Sequence, residues 1–235
     1  MLLSLAALLP ILIAPGSAVL DRAIAAAGGA RPLGRHPAFE WRGRAVVHAG
    51  TRTIALEGWW RVEPPDKAVV ETWEAGHGPD SRRKMVLAGD RGWSERGART
   101  QPLPGELVAH ERDQFYLYYL MRLVPLRCPA FRLTPIGPDG HGGQGLRVSH
   151  AGRRDVDLHF DDAGRLARLV TRVTDPGTGH EVVEEVRVGG TIEAGGVQWP
   201  RKIDITWDGQ PYFSVELTEL KLLPHLDEAL FRPPE

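Results

Sequence analysis

The sequence has one cysteine, Cys128, among its 235 residues. A single thiol excludes an internal disulfide and a Cys-based zinc site, which needs several thiolates. Beside Pro129 and Phe131, with no histidine near it in sequence, Cys128 reads as a small buried hydrophobe rather than a nucleophile. Lysine is almost as scarce. Only Lys67, Lys84, Lys202 and Lys221 are found among 29 basic residues, and acidic residues lie between them. With a formal net charge of −1, the chain has no basic stripe to attract nucleic acid or an acidic membrane. No apolar run reaches the roughly 20 residues of a bilayer-spanning helix. Long helical patterns are also few: beyond the amino-terminal segment only one stretch, residues 103–126, reads as a long helix.

What the chain does have is glycine and proline, 27 and 19 residues, clustered between alternating apolar segments as many tight turns require. Residues 1–18, MLLSLAALLPILIAPGSA, read as a signal peptide. An apolar run over 2–14 is interrupted at Pro10, then a Pro-Gly break and small residues precede a cut expected after Ala18. No Lys or Arg precedes the run, so the free amino terminus serves as its positive end; an uncleaved leader would act as an anchor. The expected location is the periplasm. Residues 19–29 form a short amphipathic helix, with Val19, Leu20, Ala23, Ile24 and Ala27 on one face and Gly28-Gly29 ending it.

From Pro37 the period becomes two. Phe39, Trp41, Ala45 and Val47 alternate with Glu40, Arg42, Arg44 and His48. Ile54, Leu56, Gly58, Trp60 and Val62 then alternate with polar residues, which sets Trp60 on the apolar face and Trp59 on the other. A strand near 68–74 and a hairpin at 83–88 and 93–95 follow. After residues 103–126 the alternation resumes through Leu133, Val148, Val156, Leu158 and Phe160, then strands at 165–173 and 181–188. The clearest pair sets Val197, Trp199, Ile203, Ile205 and Trp207, then Phe213, Val215 and Leu217, toward one side, with Tyr212 on the other. A helical turn is expected at 226–231. The count is eleven or twelve strands in a single domain over 19–235.

Residues 103–126, LPGELVAHERDQFYLYYLMRLVPL, are polar at first and apolar nearly all round from Phe115 to Val124, as in a helix covered on more than one side. One such helix in a β chain acts as plug or lid. The expected fold is mainly β with few helices (α+β): a curved antiparallel sheet, or incomplete β-barrel, with helices on its concave side.

Catalytic signatures are absent or weak. There is no GxSxG and no HExxH. The glycine-rich loop at 137–145 lacks the Lys-Ser/Thr ending of a phosphate cradle, and its His141-Gly142-Gly143 has only a superficial likeness to an oxyanion loop. A hydrolase would need polar groups converging inside the fold. Glu106, His110 and Asp113 share a helix face at i, i+4 and i+7, but a solvated polar stripe accounts for them. Asp155 and Asp157 alternate with apolar residues on a strand, and Asp161-Asp162-Ala163-Gly164 is a turn. No metal and no cofactor is expected. The inward aromatics would suit a filled core as well as a pocket. Two features favour a pocket: a curved sheet of this many strands encloses more than one helix fills, and Tyr116, Tyr118 and Tyr119 carry hydroxyls that need partners. The expected ligand-binding residues are Trp41, Trp60, Phe115, Tyr118, Tyr119, Phe160, Trp199, Ile203, Ile205 and Phe213.

The segments GDRGW (89–93), LYYLMRLVPL (117–126), VDLHFDDAGRLARL (156–169), VQWPRKIDITWDGQP (197–211) and LDEALFRPP (226–234), with the exported leader and the helix ending in Gly-Gly, carry a likeness over nearly the whole mature chain. It resembles the LolA/LolB-like periplasmic lipoprotein carriers, and more closely an uncharacterised branch of bacterial envelope proteins in that superfamily. That resemblance implies an open antiparallel half-barrel capped by helices, holding acyl chains or another lipophilic ligand, and no catalysis. The expected function is therefore a periplasmic, non-enzymatic binding or carrier protein, a monomer whose partners are a lipophilic small molecule or lipoprotein acyl chains. The alternative is an envelope protein-interaction module with a filled core.

Overall fold

The computed structural model describes residues 15–78, 81–138 and 143–233. Most of the expected leader, residues 1–18, and His141-Gly142 lie outside these residues. Helix α1 (Pro15–Ala26) and the short α2 (Ala30–Arg35) precede the strands β1 (Ala38–Ala49), β2 (Arg52–Glu63), β3 (Lys67–Glu74), β4 (Arg83–Ala88), β5 (Arg91–Arg96) and β6 (Arg99–Pro102). Helix α3 (Gly105–Met121) and a 3₁₀ turn (Val124–Arg127) lead to β7 (Phe131–Ile136), β8 (Gly145–His150), β9 (Val156–Phe160), β10 (Leu166–Thr174) and β11 (Glu181–Gly189). The chain ends with β12 (Ile192–Ala194), β13 (Val197–Trp199), β14 (Lys202–Trp207), β15 (Gln210–Leu223) and a 3₁₀ turn at Glu228–Phe231. The expected central helix is thus shorter than 103–126, and the strands outnumber the expected eleven or twelve.

Thirteen strands form one sheet in the order β6-β5-β4-β3-β2-β1-β15-β14-β11-β10-β9-β8-β7, with β12 and β13 as a separate ribbon. Every pairing between them is antiparallel. Two meanders are therefore sewn together by the first and last strands. Their free ends, β6 and β7, are consecutive strands joined by α3, so the helix must travel from one edge of the sheet to the other. Laid flat at ~4.8 Å per strand, those edges would stand about 58 Å apart, while 17 helical residues span about 25 Å. Yet α3 contacts β4 and β5 near one edge and β10 toward the other. The sheet bends around the helix without closing, as expected of a curved open sheet with helices on its concave side.

The concave face carries the main core. Trp41, Phe39, Phe160, Leu158, Leu169 and Ile203 from the strands join Leu117, Leu120 and Leu123 from the helical segment. α1 adds Val19, Leu20, Ala23 and Ile24 to the same core and packs on β7 and β8. It begins at Pro15, so a cut after Ala18 would remove its first turn and leave that buried face intact. The Gly28 stop is enforced by a close approach: at φ +106°, a Cβ there would sit 2.0 Å from the carbonyl oxygen of Gly196. The Ala27 carbonyl accepts from Gln198 N–H at 3.0 Å, tying the helix end to β13. On the convex face the tail folds back. Leu226 and Phe231 join Ala38, Val69, Val86 and Trp93 in a second, smaller core.

Cys128 is exposed, which corrects the expectation of a buried thiol. The chain buries Leu126 and then turns outward, with Phe131 N–H bonded to the Cys128 carbonyl at 3.0 Å. The thiol is left on the outside of that turn.

Candidate functional site

Between α3 and the strands near the β6 edge lies a cavity of about 590 Å³. Its apolar lining comes from Val47, Leu56, Trp60, Val70, Met85 and Phe213 among others on the sheet, and from Leu107, Phe115 and Tyr118 on the helix. The helix face that borders it is Leu107, His110, Glu111, Gln114, Phe115 and Tyr118, a regular 3.6-residue stripe in which half the members are polar. A second cavity of about 260 Å³ lies at the other end of the helix, against Met121, Leu123 and Trp199. An aromatic stack stands between them: Tyr118 packs on Trp41 at 5.3 Å, Trp41 lies parallel to Trp60 at 6.1 Å, and Phe39 bridges Trp41 and Trp199 at 5.4 and 5.0 Å.

Of the ten expected ligand-binding residues, Trp60, Phe115, Tyr118, Ile205 and Phe213 come together around the larger cavity. Trp199 borders the smaller one. Trp41, Phe160 and Ile203 lie in the core, each 1% exposed. Tyr119 turns to the far side of α3, where its ring is 6.3 Å from both Tyr116 and Phe131.

One residue controls the floor of the cavity. Gly58 lies opposite Gly43 in the β1–β2 ladder. The Trp60 indole folds down over it: a Cβ at Gly58 would meet Trp60 Cη2 at 2.7 Å and the Glu71 carbonyl oxygen at 2.8 Å. Lacking a side chain there, the strand lets the ring lie flat, and the space above stays open.

The polar residues of the site are those that an apolar-only pattern overlooks. His110 is 5% exposed rather than part of a solvated stripe. Its ring meets Trp207 and Tyr212 edge-on at 5.5 and 6.2 Å, and its Nε2 lies 3.4 Å from Tyr212 Oη. Burial holds its pKa below the ordinary histidine value. Asp113 instead pairs with Arg153 at 3.1 Å, and Glu106 is exposed, so the three residues spaced i, i+4, i+7 do not converge. Tyr212, assigned to the outer side by alternation, borders the cavity because β15 carries an extra residue there. Ile205 pairs with Phe213 while Thr206 pairs with Pro211, and a bulge of this kind re-aims the side chain. Its ring stacks on Trp207 at 3.6 Å.

Two carboxyl groups belong to this region, one of them fully buried. Glu184, from β11, is 0% exposed. Its Oε2 accepts from Gln114 Nε2 and Trp207 Nε1, both at 2.8 Å, while Oε1 has no partner among the described residues. Burial raises its pKa despite those two donors. Glu111 borders the cavity, is half-buried, and has no hydrogen-bond or ion-pair partner among the described residues. Burial pushes its pKa up to about 7. Burial also raises the phenols of Tyr118 and Tyr212, and the two carboxylates add to the rise.

Chemically, this is a chamber with apolar walls, polar groups on α3, and charged and polar side chains from β4 and β5. No serine or cysteine among the described residues lies at hydrogen-bonding distance from His110, whose ring is clasped by aromatics. The aspartates downstream have ordinary partners: Arg147 binds Asp157 through two bonds of 2.7 Å, and Asp161 closes its turn on the Ala163 and Arg165 amides.

Solved structures share this architecture. A LolA superfamily protein from Nitrosomonas europaea superposes with a TM-score of 0.56 at 11% identity, over 94% of this chain and 99% of that one. The chain has a LolA-like fold. A DUF1329 family protein from Desulfovibrio piger matches at TM-score 0.58 and 9% identity, over 93% and 97% of the two chains. An outer membrane lipoprotein-sorting protein domain from Vibrio parahaemolyticus matches at 0.53 and 9%, over 90% and 97%. No protein-family model and no curated protein matches the sequence. At these identities the likeness is one of fold, and within the LolA-like fold the cavity under α3 is the feature with a chemistry of its own.

Proposed function

We propose that the protein is a non-enzymatic carrier that holds a lipophilic ligand between α3 and the curved sheet. The observation that carries this reading is the chamber of about 590 Å³, a volume within the range of small-molecule sites, with apolar side chains of the sheet and of α3 in its lining. A filled interaction module would have no such space. Each methylene buried there contributes about 0.8 kcal/mol, so an acyl chain can bind without a polar key once the cost of immobilising it is met. The fold of the Vibrio parahaemolyticus lipoprotein-sorting domain supports acyl chains as cargo, and with the leader-like residues 1–18 it supports export to the periplasm. The absence of a nucleophile beside His110, among the described residues, favours binding over hydrolysis.

The neutral probe N-phenyl-1-naphthylamine tests this. It should gain fluorescence on binding with one-site stoichiometry and be displaced by a long-chain alcohol. Leu107→Trp, which places an indole in the chamber, should abolish the signal while leaving the far-UV spectrum intact. A probe that does not bind the folded wild-type chain, or binds the Leu107→Trp variant equally well, refutes the reading.

A further inference from the structure

An apolar ligand alone leaves Glu111 without a purpose. Its carboxyl group borders the cavity with no partner among the described residues, and an unpaired carboxylate in a half-buried place is costly to keep charged. Each packed element contributes groups that face the chamber. On α3 itself are His110, whose pKa burial lowers, the Gln114 amide, already donated to Glu184, and the Tyr118 hydroxyl. β11 contributes Glu184 behind Gln114, and β15 contributes the Tyr212 hydroxyl. Among the described residues, arginine and lysine line the chamber from β4 and β5. There Lys84 pairs with Glu95 at 3.0 Å and Arg83 lies 3.8 Å from Glu74, while Arg96 is exposed. Lys84 and Arg83 thus have carboxylates of their own, and Glu111 is the lining carboxyl left without a partner among the described residues.

Building on the carrier reading, we propose that the ligand is an amphiphile bearing a protonated amine, with its ammonium group on the Glu111 carboxylate and its chain along Trp60, Val70, Met85 and Phe213. The ammonium supplies the partner that Glu111 lacks and forms charge-assisted hydrogen bonds to a half-buried acceptor. A ligand carboxylate in the same place would face Glu111 with Glu184 behind it, and like charges at short range in a poorly hydrated site repel strongly. An alcohol of the same length would gain the burial of the chain without the charge.

Decylamine, decanol and decanoate, each below its micelle concentration, measured by calorimetry against the full chain at pH 8.5 and pH 5.5, separate these cases. The expected order at pH 8.5 is amine over alcohol by tenfold or more, with the acid weaker than the alcohol. The amine's advantage should shrink at pH 5.5, where Glu111 is protonated. Glu111→Gln should lower amine affinity to that of the alcohol. Because the wild-type ranking and its pH dependence need no variant, they decide the matter even if Glu111→Gln folds poorly. Equal amine and alcohol affinities, or decanoate binding as tightly as decylamine, overturn the role of Glu111 while the carrier reading stands. Binding of none of the three overturns both.

Discussion

Replacing Gly58 by alanine adds one methyl group to a strand otherwise tolerant of side chains, yet it should be among the more damaging small changes in the molecule. The new Cβ would lie 2.7 and 2.8 Å from two ring carbons of Trp60 and 2.8 Å from the Glu71 carbonyl oxygen. The oxygen belongs to the backbone of β3, which is hydrogen-bonded to β2 and β4, and cannot retreat without disturbing two ladders. The ring can move only up, toward α3 and into the chamber. Overpacking of this kind costs about 1–3 kcal/mol, which for a domain of this size lowers Tm by roughly 2–12 °C at ~2–4 °C per kcal/mol. The same displacement takes space from the ligand. If the indole excludes about three methylenes, affinity falls by about 2.4 kcal/mol at ~0.8 each, close to fiftyfold in Kd.

Two controls make the test specific. Gly189→Ala adds the same methyl group where nothing lies within 4 Å, and should stay within about 0.5 kcal/mol of the parent. In a Trp60→Leu background the methyl at position 58 has less to collide with, so the Gly58→Ala penalty should drop by about 1 kcal/mol or more in a double-mutant cycle of urea unfolding. Gly58→Ala as mild as Gly189→Ala, or an additive cycle, would show that the indole does not rest on Gly58, and the account of why the chamber is open would fail.

Stability should also depend on pH through Glu111. Its pKa is about 7 in the folded chain against about 4.3 in a free side chain, so between these values the folded state binds more protons than the unfolded state. Stability then falls as pH rises across that window, by at most about 3.7 kcal/mol. The raised pKa of Glu184 acts in the same direction, so Glu111→Gln should flatten the urea-derived slope between pH 5 and 7.5 without abolishing it; an unchanged slope refutes the assignment. Cys128 should react stoichiometrically with Ellman's reagent in the native protein without denaturant, and protection of the thiol would contradict its place on the outside of the turn after Leu126.

The strands were legible because one face of nearly every one is dry. Phe39, Trp41, Ala45 and Trp60, Val62 alternate cleanly, and all five are buried. Curvature could be read as well, since a long one-sided sheet with a single apolar helix has few other ways to cover its face. Where alternation failed, a local irregularity had reversed it: the bulge at Tyr212 turns an outer residue inward. The sheet order also carried information not found in any one segment. That β6 and β7 are opposite edges follows from β1 pairing with β15, a contact between the two ends of the chain.

The helix was harder to read for a different reason. Seeking apolar spacing alone, one sees Phe115, Tyr118, Tyr119 and Met121 scattered round the axis and concludes that the whole surface is covered. The cavity face becomes regular only when His110, Glu111 and Gln114 are counted in it. Polar residues on that stripe and an open chamber below it require one another. Glu111 has no partner among the described residues, and if the sheet closed on it the carboxyl group would lose its remaining contact with solvent and gain nothing, at a cost of several kcal/mol. Toward the other end of α3, Leu117, Leu120 and Met121 carry no such penalty, and there the helix sinks into the core with Leu120 fully buried. The same helix is thus held at one end by dry contact and kept off the sheet at the other by its own side chains. Replacing Glu111 and Gln114 together with leucine should let the gap contract, raising stability while reducing the uptake of any ligand; Glu184 would lose one of its two donors and set the limit to that gain.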